Sequence, residues 1–110
     1  MKIIYNNILP PKGFTAINLF GLVLARKEYR ALPSRIINHE AIHTAQMREL
    51  LFIFFYLWYV VEWIVRLIQY RNSNKAYHNI SFEREAYANQ DDQEYLKVRR
   101  SFSFLAYILN

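Results

Sequence analysis

His39, Glu40, Ala41, Ile42 and His43 form an HExxH pattern in a stretch free of Gly and Pro after Pro33. On a helix, four residues advance by about 400°, so both imidazoles leave one face a turn apart. Two such nitrogens can bind one Zn²⁺ at about 2.0–2.1 Å each. Glu40 sits about 100° around the same helix, where a carboxylate can take a proton from water held by the metal. Three His and seven Glu placed at random in 110 residues give this pattern only about 0.003 times. The competing reading is two surface histidines on an amphipathic helix.

The chain has no Cys, so any metal must be held by His and carboxylates. A catalytic zinc site needs a third protein ligand, and Glu62, Glu83, Glu85, Glu94 and His78 are available. Glu62 follows His43 by roughly five helical turns and would need a sharp reversal to return. In FEREAYANQ, Phe82, Glu83, Ala86, Tyr87 and Gln90 share one broad arc of a helical wheel, while Glu85 points nearly opposite with Asp92. The Glu83 arc is the more apolar and is expected to face the first helix. Glu83 is therefore the expected third ligand, with Glu85 and His78 as fallbacks. Gln46, one turn beyond His43, could hydrogen-bond substrate or a ligand, or simply be solvated. Tyr77, His78 and Tyr87 are candidates to stabilise an oxyanion, since each is close in sequence to Glu83.

HEAIH followed about forty residues later by FEREAY resembles the gluzincin zinc metallopeptidases. The similarity is to short branches with an HExxH helix and an E-x-x-A-[DN] helix, as in CAAX-prenyl-protease-like and ImmA-type peptidases. The resemblance implies a zincin-like domain in which His39, His43 and Glu83 are zinc ligands and Glu40 is the general base. It also implies a strand before the HExxH helix whose edge pairs with an extended peptide. Tyr87 stands where the family has Asp or Asn, the residue expected to orient a zinc-binding His. A tyrosine hydroxyl could accept an imidazole N–H there, with a different reach.

These residues need elements to position them. Residues 2–5 suit a short strand, and Pro10 to Gly13 a turn with Pro11 at i+1 and Gly13 at i+3. Residues 14–26 are rich in β-branched and large apolar side chains and read as a strand, with Gly21 as a bulge or close approach. Pro33 fits a first helical turn. A bend near 49–51 divides the following stretch into helices of about 34–48 and 50–70. Asn72 to Lys75 reads as a polar loop. Ser81 reads as an N-cap, Glu83 as a first-turn acid, and residues 82–99 as a third helix. The tail SFSFLAYILN is apolar enough to pack back on the body. The expected fold is α+β and predominantly α, one domain over residues 1–110: an N-terminal hairpin or strand pair, an HExxH helix, a long aromatic helix and a Glu-bearing helix.

The aromatic helix has two faces. Leu50, Ile53, Phe54, Leu57, Val60, Val61, Ile64, Val65, Leu67 and Ile68 fill one half of the wheel, opposite Tyr59, Glu62, Trp63, Arg66, Gln69 and Tyr70. Nineteen residues reach about 28 Å, near the hydrocarbon thickness of a bilayer. Glu62 and Arg66 interrupt the run and are spaced to pair. In a soluble domain the aliphatic half should be buried and the Glu62–Arg66 side polar. Contact with a membrane surface through residues 50–68, or a span, are the alternatives.

The net charge of +5 suits an anionic surface or an acidic partner. Lys and Arg are scattered and no nucleic-acid motif is present, so a nucleic-acid partner is not expected. The N-terminus lacks the pattern of a cleaved signal peptide, which points to the cytoplasm, with association at the inner membrane as an option. The expected function is zinc-dependent hydrolysis of a peptide or protein substrate by a Glu-activated, zinc-bound water. The alternative is a non-catalytic, metal-stabilised or membrane-associated interaction module.

Overall fold

A computed structural model describes residues 2–108. The fold is α+β and predominantly helical. Strands β1 (Lys2–Asn6), β2 (Ala16–Leu19) and β3 (Leu22–Arg26) are followed by helices α1 (Ser34–Glu49), α2 (Ile53–Tyr70), α3 (Ser73–His78), α4 (Ser81–Asn89) and α5 (Tyr95–Val98). A short 3₁₀ turn, Ser103–Tyr107, closes the described chain.

The stretch expected as one strand over 14–26 is a hairpin. Phe20 (φ 52°) and Gly21 (φ 90°) form its two-residue turn, the left-handed pair that matches strand twist. Asn18 Oδ1 accepts from the Gly21 N–H, and the Tyr56 hydroxyl accepts from the Phe20 N–H. The Phe20 ring packs on Phe52 and Tyr56, so tertiary contacts hold a turn that only half suits its sequence. The sheet order is β1–β3–β2, with β1 parallel and β2 antiparallel to β3. One edge of β2 is therefore unpaired. The turn before it also differs: Phe14 N–H donates to the Pro11 carbonyl, so Pro11 is at i and Gly13, with φ 99°, is at i+2.

Two apolar clusters hold these elements. Val23, Ala25 and Leu32 pack with Ile36 and Ile37 of α1, and Met47, Phe55, Ile80, Phe82 and Phe104 join α1, α2, α4 and the tail. The tail thus returns to the body through Phe104; Leu109 and Asn110 lie outside the described residues.

The bend between α1 and α2 falls where expected, without a glycine. Phe52 N–H donates to the Met47 carbonyl and Leu51 N–H to Arg48. Leu51 (φ 55°) takes the left-handed position of a Schellman ending. Residues 72–75 are not a loop: Asn72 Oδ1 accepts from Lys75 N–H and starts α3. Polar residues that read as loop are here a cap. The third helix ends at Asn89 instead of 99. Asn38 Nδ2 reaches the carbonyls of Asn89, Gln90 and Asp92, satisfying the chain where α4 stops.

Ser81 does not cap α4. Its N–H and hydroxyl both donate to Glu62, which is buried and also accepts from Trp58 Nε1. Glu62 supplies from α2 the negative charge that the α4 N-terminus favours. It forms no pair with Arg66, whose guanidinium donates to Gln69 Oε1 and the Ile108 carbonyl. Consequently α2 is turned opposite to expectation. Its Phe55, Tyr59, Glu62 and Trp63 side faces the protein, and the aliphatic side is exposed. The reason is chemical. Only the inner orientation lets Glu62 accept from the Ser81 N–H and hydroxyl and lets Tyr59 donate to Glu83.

Candidate metal centre

His39 and His43 project from α1 and Glu83 from the first turn of α4, and all three are buried. His39 Nε2 and His43 Nε2 are 3.1 Å apart, and Glu83 Oε1 lies 3.1 Å from each. Bonds of about 2.0–2.1 Å in a tetrahedral zinc site separate ligand atoms by about 3.3 Å. The three atoms therefore fit one ion of that size.

The outer nitrogens determine what the inner ones present. Gln46 Nε2 donates to the Phe82 carbonyl and to Glu85 Oε1. Both partners can only accept, so the Gln46 amide oxygen must face His43 Nδ1, at 2.8 Å. Gln90 Oε1 lies 2.8 Å from His39 Nδ1. With Nδ1 donating in both rings, each neutral imidazole turns a lone pair toward Glu83. Three acceptors then meet at one point, an arrangement that requires a cation or a proton between them. This is the donor chemistry of a metal site.

The titration behaviour has the same origin. Burial disfavours a charged His43, but the adjoining Glu83 carboxylate outweighs it and raises the imidazole to about 9. Burial likewise opposes ionised Glu83, yet the two imidazoles hold its carboxyl well below the usual range. Tyr59 donates to Glu83 Oε2 at 2.7 Å. Burial, with the Glu83 charge nearby, keeps the Tyr59 hydroxyl protonated far above neutral pH.

Glu40 is half-buried and lines a cleft of about 970 Å³ together with His39, His43, Glu83, residues of β2, Tyr77 and Tyr87. Burial raises its carboxyl above the ordinary range, and the two imidazoles only partly oppose this. A carboxylate so raised is a better base than a free one.

The remaining candidates divide. Glu85 is buried, one step outside the site, where it accepts from Gln46, Tyr95 and Arg99; it is not turned toward the histidines. The wheel set it off the Glu83 arc, as found, so it does not serve as the fallback third ligand, and the chain beyond α4 folds back to bury it through Tyr95 and Arg99. His78 is exposed, with Nδ1 2.8 Å from the Asn74 carbonyl, and its ring packs on Tyr87. It is not among the side chains that converge with His39 and His43. Tyr87 stacks edge-on against His39 (4.5 Å between centroids), and its hydroxyl lies 3.1 Å from that of Tyr77. It is not the acceptor for the imidazole. Gln90, one turn further along the same arc, has that position.

Sequence reasoning missed Gln90 and Tyr59 as site residues. Gln90 was signalled by its arc. Tyr59 had no signal, because the orientation of α2 was read the other way. No family model, curated protein or solved structure matches the chain.

Proposed function

We propose that this chain is a minimal zinc-dependent metallopeptidase. The carrying observation is the meeting of His39, His43 and Glu83 lone pairs at one point, beside Glu40 in an open cleft. Zinc bound there would act as a Lewis acid, polarising a carbonyl and acidifying water. Glu40 takes a proton from the attacking water and returns it to the leaving amine, so the base ends the cycle as it began. An extended peptide would pair with the free edge of β2, which borders the same cleft. Tyr77 and Tyr87 stay protonated, both raised by burial, and can offer O–H donors to the developing oxyanion.

A structural metal staple is the second reading, favoured by the burial of all three ligands and their joining of α1 to α4. Structural zinc sites are closed by four protein ligands. Among the described residues only three converge, leaving a position for water or substrate.

The deciding experiment measures zinc content and peptide cleavage on the parent, Glu40→Gln and Glu83→Ala. Glu40→Gln should keep about one zinc and lose activity by about 10² or more. Glu83→Ala should lose zinc. A parent that binds zinc but cleaves nothing, or Glu40→Gln cleaving at the parental rate, overturns the mechanism.

A further inference from the structure

We propose that the outer face of α2 lies in the interface of an anionic lipid bilayer, with the helix parallel to the membrane plane. This face is apolar along its whole length. Leu57 is 58% exposed, Val61 61% and Ile68 73%, and Phe54, Ile64 and Val65 extend the same stripe. Side chains of this size, each about half exposed, form an apolar patch of several hundred Å², as large as or larger than soluble monomers usually leave open.

Charge selects the occupant. Between Glu49 and Glu83 the only acid is Glu62, and it is turned inward and spent on the α4 N-terminus. The exposed stripe therefore carries no negative charge. Exposed Arg48 precedes α2, and exposed Arg71 and Lys75 follow it, with the Lys75 ammonium over the Tyr70 ring. The whole chain is at +5. A second copy would bring a like charge against this surface, whereas acidic headgroups complement it. Phe20 at the hairpin tip and Leu51 at the helix corner are also exposed. They stand near the α2 N-terminus, where the Phe20 ring packs on Phe52 and Tyr56.

The helix is long and apolar enough to cross a bilayer, but its other side is committed. Tyr59 bonds Glu83 and Glu62 bonds Ser81, so α2 can offer lipid only one side. That geometry is the one of an amphipathic helix lying at the headgroup boundary.

The test is flotation of the purified full chain with vesicles of phosphatidylcholine plus phosphatidylglycerol, and with phosphatidylcholine alone. The parent should float with the anionic vesicles and much less with the neutral ones. Leu57→Gln with Val61→Gln should weaken partitioning by about tenfold per side chain. A separate pair, Val65→Gln with Ile68→Gln, should do the same, which guards against one pair misfolding. Flotation is read on the parent chain without substrate, so failure of the metallopeptidase reading leaves this result unaffected. Alkaline carbonate should release the bound protein. Retention after carbonate, which would mark a span, overturns the proposal. So does a parent that ignores anionic vesicles and runs as a dimer that either double substitution dissociates.

Discussion

The Tyr59 hydroxyl donates to Oε2 of Glu83 at 2.7 Å, which leaves Oε1 as the oxygen facing both imidazoles. One residue of α2 thus decides which carboxylate oxygen is presented to the two imidazoles and holds the group against rotation. Tyr59→Phe keeps the ring packing on Phe55 and Phe82 and removes only the donor. Zinc affinity should fall by about 10–100-fold, the scale for partners of metal ligands. A competition titration with a chromogenic chelator reads it, and an unchanged affinity would count against this role.

Removal of the proposed zinc should destabilise the fold, because His39 and His43 of α1 and Glu83 of α4 meet at its site. A cation at a thousand times its Kd stabilises by about 4 kcal/mol. Chelator-treated protein should therefore melt lower, and added Zn²⁺ should restore the parent value where Mg²⁺ does not, since imidazole suits zinc better than magnesium. Thermal melts of the three preparations test this.

Glu85 is buried and receives Arg99, whose side chain is itself buried, together with Tyr95 and Gln46. Burial alone would raise the Glu85 carboxyl; the bonds from Arg99, Tyr95 and Gln46 bring it below its usual range. Glu85→Ala leaves Arg99 with Glu49 and removes one of the two acceptors of the Gln46 amide nitrogen. The expected loss is about 3–5 kcal/mol, the scale for breaking a buried pair from one side. Urea denaturation measures it.

Glu62→Ala removes the only carboxylate on Ser81 N–H and its hydroxyl. The loss should be about 2 kcal/mol or more, the upper range of a helix N-cap combined with unsatisfied buried donors. Glu62→Gln keeps an acceptor oxygen and should cost less. If both variants denature like the parent, the capping role is wrong.

The chemistry was more legible in the sequence than the packing. HExxH spacing and the wheel position of Glu83 depend on helical periodicity alone, and the structure brings those three side chains together. The corner near residue 50 was legible from length alone, since an unbroken helix from Pro33 to Arg71 would outrun so small a domain, whereas the polar run Asn72 to Lys75 read as loop and hid α3. The orientation of α2 was not legible. An amphipathic pattern says that two faces differ, and burial normally selects the apolar one. Here Glu62 and Tyr59 have partners on α4 that lie 19 and 24 residues away in sequence, and no periodicity encodes those pairings.

Asn38 holds the carbonyls of Asn89, Gln90 and Asp92 from the residue beside His39. Helix α1 therefore grips the far end of α4 with an amide while its histidines meet the near end at Glu83. Sliding α4 along α1 has to break both attachments at once, so the two helices are stiff in that direction. Gln90 travels with the gripped end, and the orientation of the His39 ring is tied to the helix that bears it. Across the cleft, Asn18 of β2 bonds α1 through the Glu40 carbonyl and the Thr44 hydroxyl, and its own carbonyl accepts from Tyr56 of α2. The β2 edge beside the cleft is thus tied to both helices, while the α1–α4 attachments fix the spacing of His39, His43 and Glu83.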